Sequence, residues 1–138
     1  MRILAVDPGE KRIGIALSDP TATIANPLTV IQHVSRALDA ATIAQLAQDN
    51  QVGLIVVGEA LDEDGGPTPQ SRRARRLAAA IRSQTDQPVV LWDESGSTQA
   101  ARAARLAMGV TRRKRSGHLD DLAATVILQS YLDAQSTG

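Results

Sequence analysis

The stretch Ile3-Leu4-Ala5-Val6-Asp7-Pro8-Gly9-Glu10-Lys11-Arg12-Ile13-Gly14-Ile15-Ala16-Leu17-Ser18 decides the fold. Four apolar residues running into an acid predict a buried strand, Arg2–Asp7, with a carboxylate at its carboxyl end. Pro8-Gly9-Glu10-Lys11 is turn chemistry, because proline presets one backbone angle and glycine tolerates the tight bend. Beyond it Ile13, Ile15 and Leu17 alternate with Gly14, Ala16 and Ser18, the pattern of a half-buried second strand over Arg12–Ser18. The two strands are expected to form an antiparallel hairpin.

Working outward, Leu28–Gln32 reads as a third strand after Asn26-Pro27. Ser35 is placed to cap a helix running to about Gln48, with an apolar stripe of Leu38, Ala41, Ile43 and Leu46. Val52–Gly58 is a wholly apolar strand of the kind covered on both faces. Residues 59–68 read as a polar loop, and a helix begins near Pro69, carrying Arg72, Arg73, Arg75, Arg76 and Arg82 around Leu77 and Ile81. Pro88–Trp92 is a short strand ending in Asp93-Glu94. Thr98–Met108 reads as a helix stopped by Gly109, and Thr111–Gly117 as a basic loop. A last helix is expected from about His118 to Asp133, its inner face formed by Leu119, Leu122, Ala123, Val126, Ile127 and Ser130. This order predicts an α/β fold over residues 1–138 in a single domain: a five-stranded mixed sheet with an antiparallel hairpin edge, flanked by helices.

Composition narrows the chemistry. Zero cysteines exclude disulfides, thiolate zinc sites and cysteine nucleophiles. The first apolar stretch is broken by a charge within a few residues, so neither a secretory segment nor a membrane span is expected and a cytoplasmic protein is. Formal net charge is zero, but its distribution is not even: residues 72–115 hold eleven Lys and Arg against three Asp and Glu, leaving four against twelve elsewhere. Thirteen of the fifteen basic residues are arginine, the better fork for phosphate. A basic stretch with separately placed acids suits an enzyme that grips phosphates and holds cations. Trp92 and Tyr131 are the only aromatics, so binding by base stacking is disfavoured and any grip on nucleic acid falls to its backbone.

Three acids stand at places where chemistry would want them. Asp7 and Glu94 end apolar strands, and Asp120, with Asp121, opens an apolar helix. Ligands of open α/β sheets collect beyond the carboxyl ends of parallel strands, so these groups could converge. Phosphodiester cleavage builds negative charge around phosphorus, and two divalent cations about 4 Å apart can bind both the attacking and the leaving oxygen. Mg²⁺ and Mn²⁺ take oxygen ligands. In this reading Asp7 bridges the metals, Glu94 and Asp120 each hold one, and Asp121 is a further candidate. Each acid alone also has a structural use: Asp7 in a turn, Asp93-Glu94 as a cap, Asp120 and Asp121 against the helix dipole.

Four blocks in order resemble the YqgF/RuvX-like family of Holliday-junction resolvases, also described as nucleases that mature precursor small-subunit ribosomal RNA. They are the hairpin Ile3–Gly14; Leu54–Gly58 with the Asp64-Gly65 loop and Arg-rich helix; Trp92-Asp93-Glu94-Ser95-Gly96-Ser97-Thr98; and Asp120-Asp121-Leu122-Ala123-Ala124 through Tyr131-Leu132. The resemblance implies a ribonuclease H-like fold, two divalent metals (Mg²⁺ or Mn²⁺), and a catalytic trio of Asp7, Glu94 and Asp120. It also implies a basic surface for branched DNA or structured RNA. Candidate phosphate contacts are Lys11, Arg12, Arg72, Arg73, Arg76 and the run Arg112-Arg113-Lys114-Arg115, with His118 beside the acids as a possible proton carrier.

The chain departs from the family pattern twice. Ser95 and Gly96 follow Glu94 where an arginine is usual, and Glu59-Ala60 follow Gly58 where Leu-Pro is usual. Glu59 ends the strand expected beside the Asp7 strand, and is therefore a candidate metal ligand that supplements or replaces Glu94. The competing reading is a phosphate-binding regulatory or scaffold protein that kept the fold without its catalysis. A resolvase, cutting two strands symmetrically, would be a homodimer, whereas an RNA processor could act as a monomer.

Overall fold

A computed structural model describes the backbone of residues 1–94 and 119–137, and side chains within 1–94 and 122–136. β1 (Arg2–Pro8), β2 (Arg12–Ser18) and β3 (Ala25–Gln32) are followed by α1 (Arg36–Asp49), β4 (Val52–Glu59), α2 (Pro69–Arg82), β5 (Val89–Asp93) and α3 (Leu119–Thr137). The sheet order is β3-β2-β1-β4-β5. β1–β2 and β2–β3 pair antiparallel, while β1–β4 and β4–β5 pair parallel. The expected mixed five-stranded sheet is therefore present, with the hairpin side antiparallel and the crossover side parallel. The expected helix over residues 98–108 and the basic loop over 111–117 lie outside the described residues.

Alternation sorts the side chains into two layers. Leu4, Val6, Ile13, Ile15, Ile55 and Val57 face α1 and α2, joined by Ile43, Leu77 and Ile81. Ile3, Ala5, Ala16 and Val56 face α3, joined by Ala124, Ile127, Leu128 and Leu132. β2 is consequently buried from Ile13 to Ser18, not half-buried as its alternation suggested. Its small residues lie beneath α3, where Ala5 and Ala16 let the helix backbone come close.

Three expectations shift in detail. β3 begins at Ala25, three residues earlier than expected, because Gln129 on α3 accepts a hydrogen bond from Ala25 N (2.9 Å) and donates to Thr23 O (3.1 Å). Pro27 is tolerated inside β3 because this is an edge strand, and it falls where the register with β2 shifts. α1 is capped by Ser35 as expected, but turned: Asp39, Ala40, Ile43 and Ala47 are buried and Leu38 is exposed. The rotation follows from Asp39, whose carboxylate accepts from Val34 N at 3.0 Å and meets His33 Nδ1 at 2.5 Å. On α3 the buried set is Ala124–Leu128 and Leu132 rather than one stripe, with Leu122 and Ala123 only partly covered. A helix apolar on several sides is enclosed on several sides.

Candidate metal centre and basic surface

The β1–β2 turn is tight enough that a Cβ on Gly9 would overlap the Arg12 carbonyl oxygen. This turn fixes the end of β1, and alternation decides where Asp7 points. Leu4 and Val6 belong to the α1/α2 layer, Ile3 and Ala5 to the α3 layer, so Asp7 lies on the α3 side. One step beyond the β1–β4 pair Val6–Val57 stand Asp7 and Gly58, and Gly58 pairs in turn with Trp92 of β5. Two residues past Trp92 comes Glu94, whose N–H donates to Glu59 O at 3.0 Å and so continues the β4–β5 ladder.

Gly58 leaves a gap between these two acids, and the Glu94 carboxylate occupies it. A Cβ on Gly58 would stand 2.8 Å from Glu94 Oε2 and 2.6 Å from Ile127 Cδ1 of α3. Glu94 Oε2 is buried with no hydrogen-bond partner among the described residues. Burial, then the charge of Asp7, then that of Asp93, push the Glu94 carboxyl up from 4.5 to about 7. A carboxylate oxygen held dry beside a second acid fits a divalent cation, which would supply the missing positive partner and prefers oxygen. Asp7 and Glu94 therefore fit as metal ligands. Among the described residues no group of three metal-binding side chains forms; the side chains of Asp120 and Asp121, at the start of α3, lie outside the described set.

Glu59 does not join this pair. It follows Gly58 and points to the opposite face, where it is buried and accepts from Arg75 Nε of α2 at 2.9 Å. An even step along a strand keeps a side chain on one face and an odd step flips it, so the strand end that brings Glu59 near Asp7 in sequence alignment separates them across the sheet.

The arginines of α2 divide by role. Arg75 neutralises Glu59; Arg82 donates to Val89 O at 2.7 Å and 3.2 Å, holding α2 to β5. Arg73 reaches Glu10 at 3.3 Å. Arg72 and Arg76 are exposed and line a groove of about 600 Å³ between α1, α2 and the β1–β2 turn, with Arg36 on its other wall. Lys11 and Arg12 are exposed at the turn. Arg112, Arg113, Lys114, Arg115 and His118 lie outside the described residues. Two features escaped the sequence reading: Gly58 as the gap that admits Glu94, and Arg36 as a basic residue. A glycine closing an apolar strand next to the acid-ended strand is the signal that could have revealed the first.

Carboxylates at the ends of β1 and β5, over a sheet of this order with a long helix packed across the hairpin, define a protein of the ribonuclease H-like class. Two solved structures share the fold. RuvC of T. thermophilus in complex with Holliday junction substrate matches with a TM-score of 0.68 at 15% identity, covering 99% of this chain and 96% of that one. The fowlpox virus Holliday junction resolvase matches at 0.58 and 16%, covering 97% and 99%. The family model described as RuvX, Holliday junction resolvase, matches residues 1–134, and the chain belongs to that family. Relatives named "Putative pre-16S rRNA nuclease" include one from Roseiflexus sp. (strain RS-1), 38% identical over 97% of this chain and 95% of its own length. Another, from Syntrophus aciditrophicus (strain SB), is 43% identical over 99% and 91%.

Proposed function

We propose that this chain is a nuclease that hydrolyses phosphodiester bonds in structured nucleic acid, using divalent cations held by Asp7, Glu94 and Asp120. The observation that carries the reading is Glu94 Oε2, buried over Gly58 and beside Asp7 with no hydrogen-bond partner among the described residues. A bound Mg²⁺ or Mn²⁺ would lower the pKa of water and stabilise charge on the phosphoryl oxygens. The chain's own part is to hold acidic oxygens at rigid strand ends, and to keep Glu94 dry under Ile127. Asp120 stands at the start of α3, whose packing on β1 and β2 is set by Ala124, Ile127 and Leu128. A scaffold protein would gain nothing from a glutamate whose burial, and then the charge of a neighbouring acid, raise its pKa.

The substrate class follows from the relatives, a Holliday junction resolvase family and proteins named for precursor 16S ribosomal RNA. Phosphate contacts from Lys11, Arg12, Arg72, Arg73, Arg76 and the run 112–115 serve either substrate, a four-way DNA junction in recombination and repair or a ribosomal RNA precursor. No described helix is long and apolar enough to cross a membrane; the reading places the enzyme in the cytoplasm, as a monomer or a homodimer. The test is cleavage of labelled four-way junction DNA and structured precursor RNA, side by side, in Mg²⁺, Mn²⁺ or EDTA. Cutting that requires metal and disappears in Asp7→Asn is the expected result. Binding without cutting of either substrate would refute it.

A further inference from the structure

The groove bounded by Arg36, Arg72 and Arg76 is not part of the carboxylate site. Pro8 lines it, whereas Asp7, the residue before, points to the other side of the sheet. Its floor is Ile13 and Leu77, and its walls are the first turn of α1 and the exposed side of α2. Arg72 and Arg76 are four residues apart and so project from one side of α2. They face Arg36 across the opening, and none of the three guanidinium groups has an ion-pair or hydrogen-bond partner among the described residues. The acids in the groove are already engaged: Glu10 by Arg73 at 3.3 Å, and the buried Asp39 by His33 and Val34 N. Among the described residues the groove therefore presents three guanidinium groups with no compensating acid, in a concave space of ligand size. Self-repulsion of that kind is relieved by an anion, and guanidinium forks match phosphate oxygens.

We propose that this groove is a second, metal-independent binding site for the phosphodiester backbone of a nucleic-acid strand, on the face of the sheet opposite the carboxylates. No Phe, Tyr or Trp lines it, and its one ring, His33, is tied through Nδ1 to the buried Asp39, so recognition runs through phosphates and is indifferent to base sequence. The β1–β2 turn, whose Pro8, Gly9 and Glu10 line the groove and on which Lys11 is exposed, lies next to Asp7 and so borders both sites. Substrate leaving the carboxylates could be held there at a distance from the cut. Only this last identification of the strand as substrate rests on the nuclease reading; the site itself does not.

Anisotropy of a fluorescein-labelled oligothymidylate of about twelve nucleotides, titrated with the full chain in EDTA, tests the site without metal or cleavage. The triple variant Arg36→Gln/Arg72→Gln/Arg76→Gln should bind at least about tenfold more weakly at low salt. Its log K against log salt plot should be shallower by about 2, the loss of three single-strand phosphate contacts. Arg36→Gln alone and Arg72→Gln/Arg76→Gln should each give part of that loss, since they remove opposite walls. If the oligonucleotide binds all variants equally but AMP binds the wild type and not the triple variant, the phosphate site stands and its occupant is a free nucleotide. Equal affinity of wild type and triple variant for both probes would overturn the proposal. A parallel cleavage assay in Mg²⁺ separates this outcome from failure of the nuclease reading, which EDTA binding does not touch.

Discussion

Glu94 and Gly58 share one space: the carboxylate oxygen of the first lies where the side chain of any other residue at the second would begin, 2.8 Å from an ideal Cβ. The acid reaches toward Asp7 only because Gly58, next to last in the intervening strand β4, has no side chain. Gly58→Ala should therefore displace Glu94, and it also meets Ile127 Cδ1 at 2.6 Å. Overpacking of this type costs about 1–3 kcal/mol. The expected outcome is a folded protein of lower Tm whose metal-dependent cleavage falls much further than its affinity for nucleic acid. Cleavage at the wild-type rate in Gly58→Ala would show that the Glu94 position is not needed.

Glu59 offers the converse test, because it is next to Gly58 in sequence yet on the other face. Glu59→Gln should retain metal-dependent cleavage, whereas Glu94→Gln should lose it. Arg75→Ala should lower stability by about 1–3 kcal/mol, the cost of leaving a buried acceptor without its donor, and should leave the metal requirement unchanged. Urea unfolding and a cleavage assay on the same preparations read both effects. Loss of cutting in Glu59→Gln at normal stability would return Glu59 to the candidate ligands.

Much of this was legible in the sequence, and the residues show why. The hairpin Ile3–Ser18 was readable because apolar alternation and a Pro-Gly turn are local signals. Ser35 and Thr68 as caps, the first expected and the second found in a reciprocal capping box with Ser71, rest on chemistry within four residues. Asp39 was not readable: nothing local says that a charged residue will be buried, because its partners are His33 and Val34 N on the chain entering the helix. Nor was the pairing of Glu59 with Arg75, which depends on which face of β4 closes against α2. The site was legible as a set of acids, but the separation of Asp7 and Glu94 from Glu59 requires the sheet's two-residue period together with its strand order.

The contact between β5 and α3 has a built-in reporter. Trp92, the single tryptophan, donates from Nε1 to Ser130 Oγ at 3.1 Å and meets the Tyr131 ring edge-on, with centroids 5.2 Å apart. Ser130→Ala removes the acceptor and should cost about 1 kcal/mol. Because α3 carries Asp120 at its other end, loosening this contact should also reduce cleavage modestly. Tryptophan emission should move to the red in Ser130→Ala before unfolding, by equilibrium fluorescence. An unchanged spectrum with unchanged Tm would mean the bond adds nothing in solution.

The raised pKa of Glu94 gives the metal-free protein a distinctive pH dependence. In the unfolded chain this carboxyl titrates near 4.5, and in the folded protein near 7. Between those values the folded state holds a proton that the unfolded chain has released, so the contribution of Glu94 to stability is greatest below 4.5 and falls as pH rises toward about 7. The cause is the cost of a dry carboxylate beside Asp7 and Asp93, so Glu94→Gln, which stays neutral, should lose this slope and unfold later than wild type at pH 8 in EDTA. Mg²⁺ or Mn²⁺ should restore stability to the wild type at pH 8 and do much less for Glu94→Gln, since a ligand binding only the folded state stabilises in proportion to its affinity. Urea titrations at pH 5 and pH 8, with and without metal, measure all four corners. The same pH slope in wild type and Glu94→Gln would remove Glu94 as its source, and equal stabilisation of both by metal would remove it as a ligand.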